Sequence, residues 1–257
     1  MLKTAKLSKP HFATLCFESV PIMQAMNAES TQHDEYALRT AQFFDSMGSD
    51  YENAFAHDAC LNNFIKKVLT MFPPASSVLD VGCGTGTPVS KTVAAQGHKV
   101  TGIDIAPKMV ELSRKAVPNA TFEVADMLEY VPKQKMDVVL NILSLFVLSR
   151  KEMETMSKKW AEWLLPNGLL CICMFAAEDC NPTKDMYDED GLCARGMPHM
   201  FMGQQDLLTM LTRQGWEKML EDAGFKIVDT EVDLFEPPAG AKSDPEPHYF
   251  IIARRLS

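Results

Sequence analysis

Val78-Leu79-Asp80-Val81-Gly82-Cys83-Gly84-Thr85-Gly86 is an apolar run interrupted by one acid and followed by glycine at every second position. The apolar run predicts a buried strand, and the glycines predict a loop. Glycine tolerates positive φ and lets a ligand approach the backbone where a Cβ would block it. Pro88 just beyond suits the first turn of a helix, whose leading amides have no intrahelical acceptor and face such a ligand. A glycine loop after a strand is open to several cofactors, dinucleotides included. Two details narrow it. The spacing is Gly-x-Gly-x-Gly, not Gly-x-Gly-x-x-Gly, and Asp80 precedes it within the strand. A buried carboxylate is costly alone, gains from a cationic ligand and repels a pyrophosphate.

Working outward, helical and β-rich runs alternate: helical 89–95, apolar 100–103, helical 107–116, apolar 120–124, apolar 136–140, helical 151–165 and apolar 169–175. Short strands separated by helices of this length predict βαβ crossovers and a doubly wound α/β sheet. Residues 215–223 read as helical, and 225–234 and 248–253 as extended. Asp104 ends the second strand about 20 residues after the glycine loop, where a carboxylate reaches ribose hydroxyls in Rossmann-like sites. Asp126 ends the third, with Met127 beside it.

Before the first strand, apolar residues recur at helical spacing from Asp34 to Leu69, broken at Gly48-Ser49 and stopped by Pro73-Pro74. The predicted division is a helical extension over 1–72 and an α/β domain over 73–257. Between 176 and 207 the alternation lapses into an acidic, methionine-rich segment, which predicts an irregular cap over the carboxyl edge of the sheet.

Composition sets the outer limits. A net charge of -9 and the absence of any basic run disfavour nucleic acid as a partner. Seven cysteines form no pair of Cys-x-x-Cys motifs, the acidic segment has no metal spacing, and no metal is expected. Cys171 and Cys173 lie two apart in a strand and are expected to share one apolar face. No apolar stretch approaches the roughly 18 residues of a membrane span, and free thiols fit the cytoplasm. Lys3, Lys6 and Lys9 resemble an organelle presequence, but the arginine such a segment favours is missing.

Together with Val-Thr-Gly-Ile-Asp-Ile-Ala-Pro-Lys-Met at 100–109 and Phe-Glu-Val-Ala-Asp-Met at 122–127, the opening stretch resembles the successive cofactor motifs of class I methyltransferases over residues 75–175. The overall tenor is similar to small-molecule enzymes of fungal secondary metabolism. The resemblance implies a Rossmann-like, seven-stranded sheet with an antiparallel last strand. It implies S-adenosylmethionine as cofactor, with Asp80, Gly82, Cys83, Gly84 and Gly86 around the methionine portion. Asp104 would take the ribose, and Asp126 and Met127 the adenine, with Ile105 and Met109 flanking the ring. Asn141 at the end of the fourth strand is a further contact, and Tyr51 resembles an aromatic that closes over the cofactor. Asn141 begins Asn-Ile-Leu-Ser-Leu, not the Asn/Asp-Pro-Pro-aromatic element of amide and nucleobase methylation, so a small-molecule acceptor is expected.

His199 is the candidate base for an acceptor that arrives protonated. Two alternatives stand beside methyl transfer: a protein that binds S-adenosylmethionine for another purpose, and a nicotinamide-dependent oxidoreductase. Asp104 and Asp126 also suit plain helix capping.

Overall fold

The computed structural model describes residues 31–55 and 57–256; the presequence-like lysines lie outside them. The expected helical extension contains α1 (Thr31–Met47), α2 (Ser49–Phe55) and α3 (Ala59–Leu69), with the α1/α2 break at Gly48. Asp58 caps α3, its Oδ1 accepting from the Cys60 and Leu61 amides at 2.8 and 3.1 Å. One face of α3 buries Leu61, Phe64, Ile65 and Val68.

The α/β alternation follows as predicted: β1 (Ser77–Val81), α4 (Val89–Ala95), β2 (Lys99–Asp104), α5 (Pro107–Ala116), β3 (Thr121–Val124), β4 (Met136–Ile142), α6 (Arg150–Trp163) and β5 (Leu164–Met174). Ser149 and Glu152 form a capping box that starts α6. After a hairpin of β6 (Cys193–Phe201) and β7 (Gln204–Leu211) come α7 (Arg213–Asp222), β8 (Phe225–Phe235) and β9 (Glu246–Arg255).

The main sheet has seven strands in the order β3-β2-β1-β4-β5-β9-β8. The first five are parallel, and β9 runs antiparallel between β5 and β8. Successive side chains point to opposite faces, so each central strand feeds two cores. On one face Leu79, Val81, Val139, Leu170 and Ile172 pack with Trp160 of α6 and Trp216 of α7. On the other, Val78, Val138, Leu140, Cys171 and Cys173 pack with α3 and α4, the two cysteines side by side as small apolar groups. Phe64 of α3 stacks on Phe250 of β9 at 4.6 Å between ring centroids.

The segment expected to be a cap opens with short 3-10 turns at Ala177–Cys180 and Lys184–Met186, and from Cys193 onward it forms a two-stranded hairpin where no strand was expected. Its strand signal is hidden by a register shift between Ala194 and Met197, which displaces the period-two alternation. Ala194, Met197, Leu208 and Met210 still share a small core with Phe175.

A buried ionic link joins the extension to the sheet. His248 of β9 is fully buried, its Nδ1 lying 3.1 Å from Asp58 Oδ2 and its Nε2 3.0 Å from Glu246 Oε2. Burial opposes the imidazolium, but the two carboxylates more than offset this and lift its pKa to about 8. A histidine whose pKa rises on folding contributes stability that is complete below its unfolded value and fades as pH climbs through the folded one. Urea denaturation of the wild type and of His248→Gln should therefore show the wild-type advantage shrinking by about 2 kcal/mol between pH 6 and pH 9. A constant difference across that range would mean that the histidine is neutral in the folded protein.

Candidate active site

Strands β1, β2, β3 and β4 release the chain at one edge of the sheet, where the ladder no longer pairs every amide. The Gly82 and Cys83 amides turn sideways and donate to Ile103 O at 2.8 and 2.9 Å. Gly82 has φ +72°, and a Cβ there would lie 2.3 Å from Ser144 Cβ, so both conformation and space require glycine. The Gly84 amide donates to Asp104 Oδ2 at 2.8 Å, and the Ala106 amide to Asp104 Oδ1 at 2.9 Å. One carboxylate thus ties the glycine loop to the end of β2.

Above this edge opens a cavity of about 860 Å³, lined by Tyr51, Gly82, Gly84, Asp104, Ile105, Met109, Asp126 and Met127 among others. A branch beside it is lined by Asp80, Cys83 and Thr87. These are the residues singled out in the sequence, with two exceptions. Gly86 faces Ser113 of α5, where a Cβ would meet the Ser113 Cβ at 3.2 Å, and it lines none of these spaces. Asn141 is fully buried below the floor, its Nδ2 donating to Val81 O at 3.3 Å and Ser144 Oγ at 3.0 Å. It positions Ser144, which does line the cavity.

Asp80 is buried, and Ser90 Oγ donates to its Oδ2 at 2.6 Å. Burial raises its pKa to about 7; the Ser90 hydroxyl works against that rise, and Asp104 adds to it. Asp126 Oδ1 accepts from the Leu128 amide at 2.8 Å, so Asp104 and Asp126 shape their own turns as well as line the cavity.

A second cavity of about 680 Å³ adjoins the first and shares Thr40, Phe44, Tyr51, Leu143, Phe146 and Val147 with it. Phe201 on the hairpin closes it, with its ring centroid 5.3 to 6.4 Å from those of Phe43, Phe44, Tyr51 and Phe55. Leu143 adopts φ +53°, a region costly for a residue with a Cβ, and lines both cavities. His199 lines the second cavity too, 9% exposed, with Nδ1 3.9 Å from Asp244 Oδ2. Burial depresses its pKa despite the opposing fields of Glu246, Asp244 and Asp206, which keeps the imidazole neutral.

Sequence reasoning missed the rings of Phe44, Phe146 and Phe201 and the buried Asp58, Glu246 and His248. The alternation of Glu246 and His248 in a strand was the one available signal, since it puts both on the same face.

A sulfonium nucleoside needs an acid for its ribose, an apolar slot for its base and a polar branch for its amino-acid end. Asp104 would supply the first, Ile105 and Met109 with Met127 the second, and the Asp80 branch the third. Thr40 Oγ1 and Thr87 Oγ1, which line these spaces, are buried with no hydrogen-bond partner among the described residues, as groups awaiting a ligand would be. The residues present fit the group.

Comparison with known proteins agrees. A family profile described as a methyltransferase domain matches residues 78–168. A demethylmenaquinone methyltransferase of Tropheryma whipplei is 29% identical over 152 residues, 56% of this chain and 62% of that protein. The chain therefore spans somewhat under two thirds of that relative's length. An S-adenosyl-L-methionine-dependent Diels-Alderase of Neonectria sp. is 29% identical over 218 residues, covering 84% of this chain and 83% of its own. Among solved structures, a 1,6-didemethyltoxoflavin-N1-methyltransferase of Burkholderia thailandensis shares the fold with a TM-score of 0.64 at 19% identity, covering 97% of this chain and all of that one. That profile runs from β1 into β5, so residues 78–168 carry a methyltransferase domain, and the fold of the solved methyltransferase extends over nearly all of the chain.

Proposed function

We propose that this protein transfers a methyl group from S-adenosylmethionine to a nitrogen or oxygen of a small, largely apolar acceptor. The observation that carries this reading is the pair of adjoining cavities. One has the acids and apolar slot of a nucleoside site, and the other is lined mainly by aromatic rings. Tyr51, Leu143 and Phe146 stand where the two meet. Holding two reactants in line across such a junction supplies much of a displacement's rate.

When bound, S-adenosylmethionine would supply an activated methyl group on a sulfonium, with neutral sulfur as the leaving group. Asp104 would accept from its ribose hydroxyls, Asp126 and Met127 would meet its base, and Asp80 would pair with its cationic amino end. The aromatic rings exclude water from the acceptor. His199, neutral and at the acceptor cavity, takes the proton an amine or phenol must lose. The net charge of -9 argues against a nucleic-acid acceptor. Among the described residues no helix is long and apolar enough to cross a membrane, and the unbridged cysteines support a cytoplasmic location.

The extended similarity to a Diels-Alderase favours a second reading, in which the cofactor is bound but its methyl is not transferred. Incubating the full chain with methyl-labelled S-adenosylmethionine and a metabolite extract separates the two. Labelled product is expected, and tight cofactor binding without any labelled product would favour the second reading.

Calorimetry should show S-adenosylmethionine affinity rising from pH 6 to pH 8 as Asp80 ionises through about 7. Asp80→Asn should weaken binding about tenfold to a hundredfold and remove the pH dependence, since a charged hydrogen bond is lost. Saturable binding of a nicotinamide dinucleotide with none of S-adenosylmethionine would overturn the cofactor assignment.

His199→Gln should lower kcat by about a hundredfold or more and abolish the acid limb of its pH profile, with cofactor affinity unchanged. Unaltered turnover across pH would remove His199 as the base.

A further inference from the structure

The two cavities meet at a wall that Thr40, Phe44, Tyr51, Leu143, Phe146 and Val147 share. Thr40 lies in the middle of α1 and is 4% exposed. A threonine in a helix ordinarily returns its hydroxyl to a carbonyl of the preceding turn or points it at water. Thr40 does neither: its Oγ1 is buried and has no hydrogen-bond partner among the described residues. A buried hydroxyl left unpaired is destabilising, and a valine would fill the same space without that penalty. The chain thus keeps a polar atom where packing alone favours an apolar one. The polar groups of the nucleoside would be met elsewhere, at Asp104, Asp126 and the Asp80 branch. What remains to pair with Thr40 is a group arriving from the second cavity.

Building on the methyl-transfer reading, we infer that Thr40 determines acceptor specificity: its Oγ1 hydrogen-bonds a hydroxyl or amine of the acceptor where the two cavities meet. The other described side chains of that wall are hydrocarbon except for Tyr51, so they set the shape of the ligand and leave its polar group to be read by hydroxyls. Oγ1 can donate to the lone pair of a heteroatom or accept its hydrogen, so it serves oxygen and nitrogen alike. An analogue with hydrogen in place of that group leaves Oγ1 unpaired and is rejected for that reason.

Binding can be read without methyl transfer, on the full chain saturated with S-adenosylhomocysteine. The probes are 2-naphthol and naphthalene, which differ by one hydroxyl. Thr40→Val removes the hydroxyl from the protein, and Thr40→Ser keeps it. In equilibrium dialysis the preference for 2-naphthol over naphthalene should fall about tenfold in Thr40→Val and stay within about twofold of wild type in Thr40→Ser. Calorimetry should give S-adenosylhomocysteine the same affinity for all three proteins, and the urea midpoint of free Thr40→Val should equal or exceed that of the wild type. A lower midpoint, or failure to fold, makes the hydroxyl a structural group and overturns the inference. So does a naphthol preference that Thr40→Val keeps, or wild type that binds neither probe. Weaker S-adenosylhomocysteine binding by Thr40→Val also overturns it, by assigning the hydroxyl to the cofactor. None of these measurements involves transfer, so the labelling experiment tests that reading separately. Labelled product together with an unchanged naphthol preference would uphold transfer and sink the role of Thr40.

Discussion

The carboxylate of Asp104 accepts from two amides that the sheet cannot satisfy, those of Gly84 and Ala106. Parallel strands that end together leave such amides at their carboxyl edge, and a buried amide without an acceptor is costly. By bridging the loop after β1 and the turn into α5, Asp104 fixes the relative height of the two segments that floor the cavity. A side chain that the sequence offered either as a ribose acceptor or as a helix cap is therefore a structural tie between two segments. Those two roles are compatible because a carboxylate offers more lone pairs than two amides consume.

The other half of the site is assembled from distant parts of the chain. Tyr51 and Phe55 come from α2, Phe146 from the turn after β4, Phe201 from the hairpin, and Glu246 from β9. Asp58 caps α3 through Oδ1 and reaches His248 with Oδ2, so the start of α3 and the strand bearing Glu246 are tied through the same buried ion pairs. Removing one partner from such a cluster leaves an uncompensated buried charge, which ordinarily destabilises more than a lost surface pair. The cluster that ties this junction together thus also borders the second cavity through Glu246.

The cofactor half was legible in the sequence because its determinants are local. Asp80 and Gly82 to Gly86 occupy one strand-loop unit, and Asp104 and Asp126 each sit at the end of a strand. Their order along the chain is their order across the site. Asn141 and Gly86 show the limit of that reading: both belong to the right loops, yet one lies under the floor and the other packs on Ser113. Direction at a strand end depends on how the chain turns, which spacing does not encode. The hairpin in the cap was illegible for a related reason, since the bulge between Ala194 and Met197 shifts the alternation on which a strand assignment rests.

The sequence by itself determined the doubly wound sheet, the glycine loop that must adopt positive φ, and the acids beside it, because hydrophobic period and backbone freedom are properties of short segments. It also singled out Tyr51, which lines both cavities, and His199, which lines the second. Only the tertiary structure decided that five phenylalanines and a tyrosine line one cavity, that Glu246 and Asp206 border the same cavity, and that His248 is held between Asp58 and Glu246. Those residues lie as far apart as Phe43 and His248, and neither propensity nor spacing encodes which of them will meet. Packing of the extension and the hairpin against the carboxyl edge brings them together, and the burial that follows sets the charge each one carries.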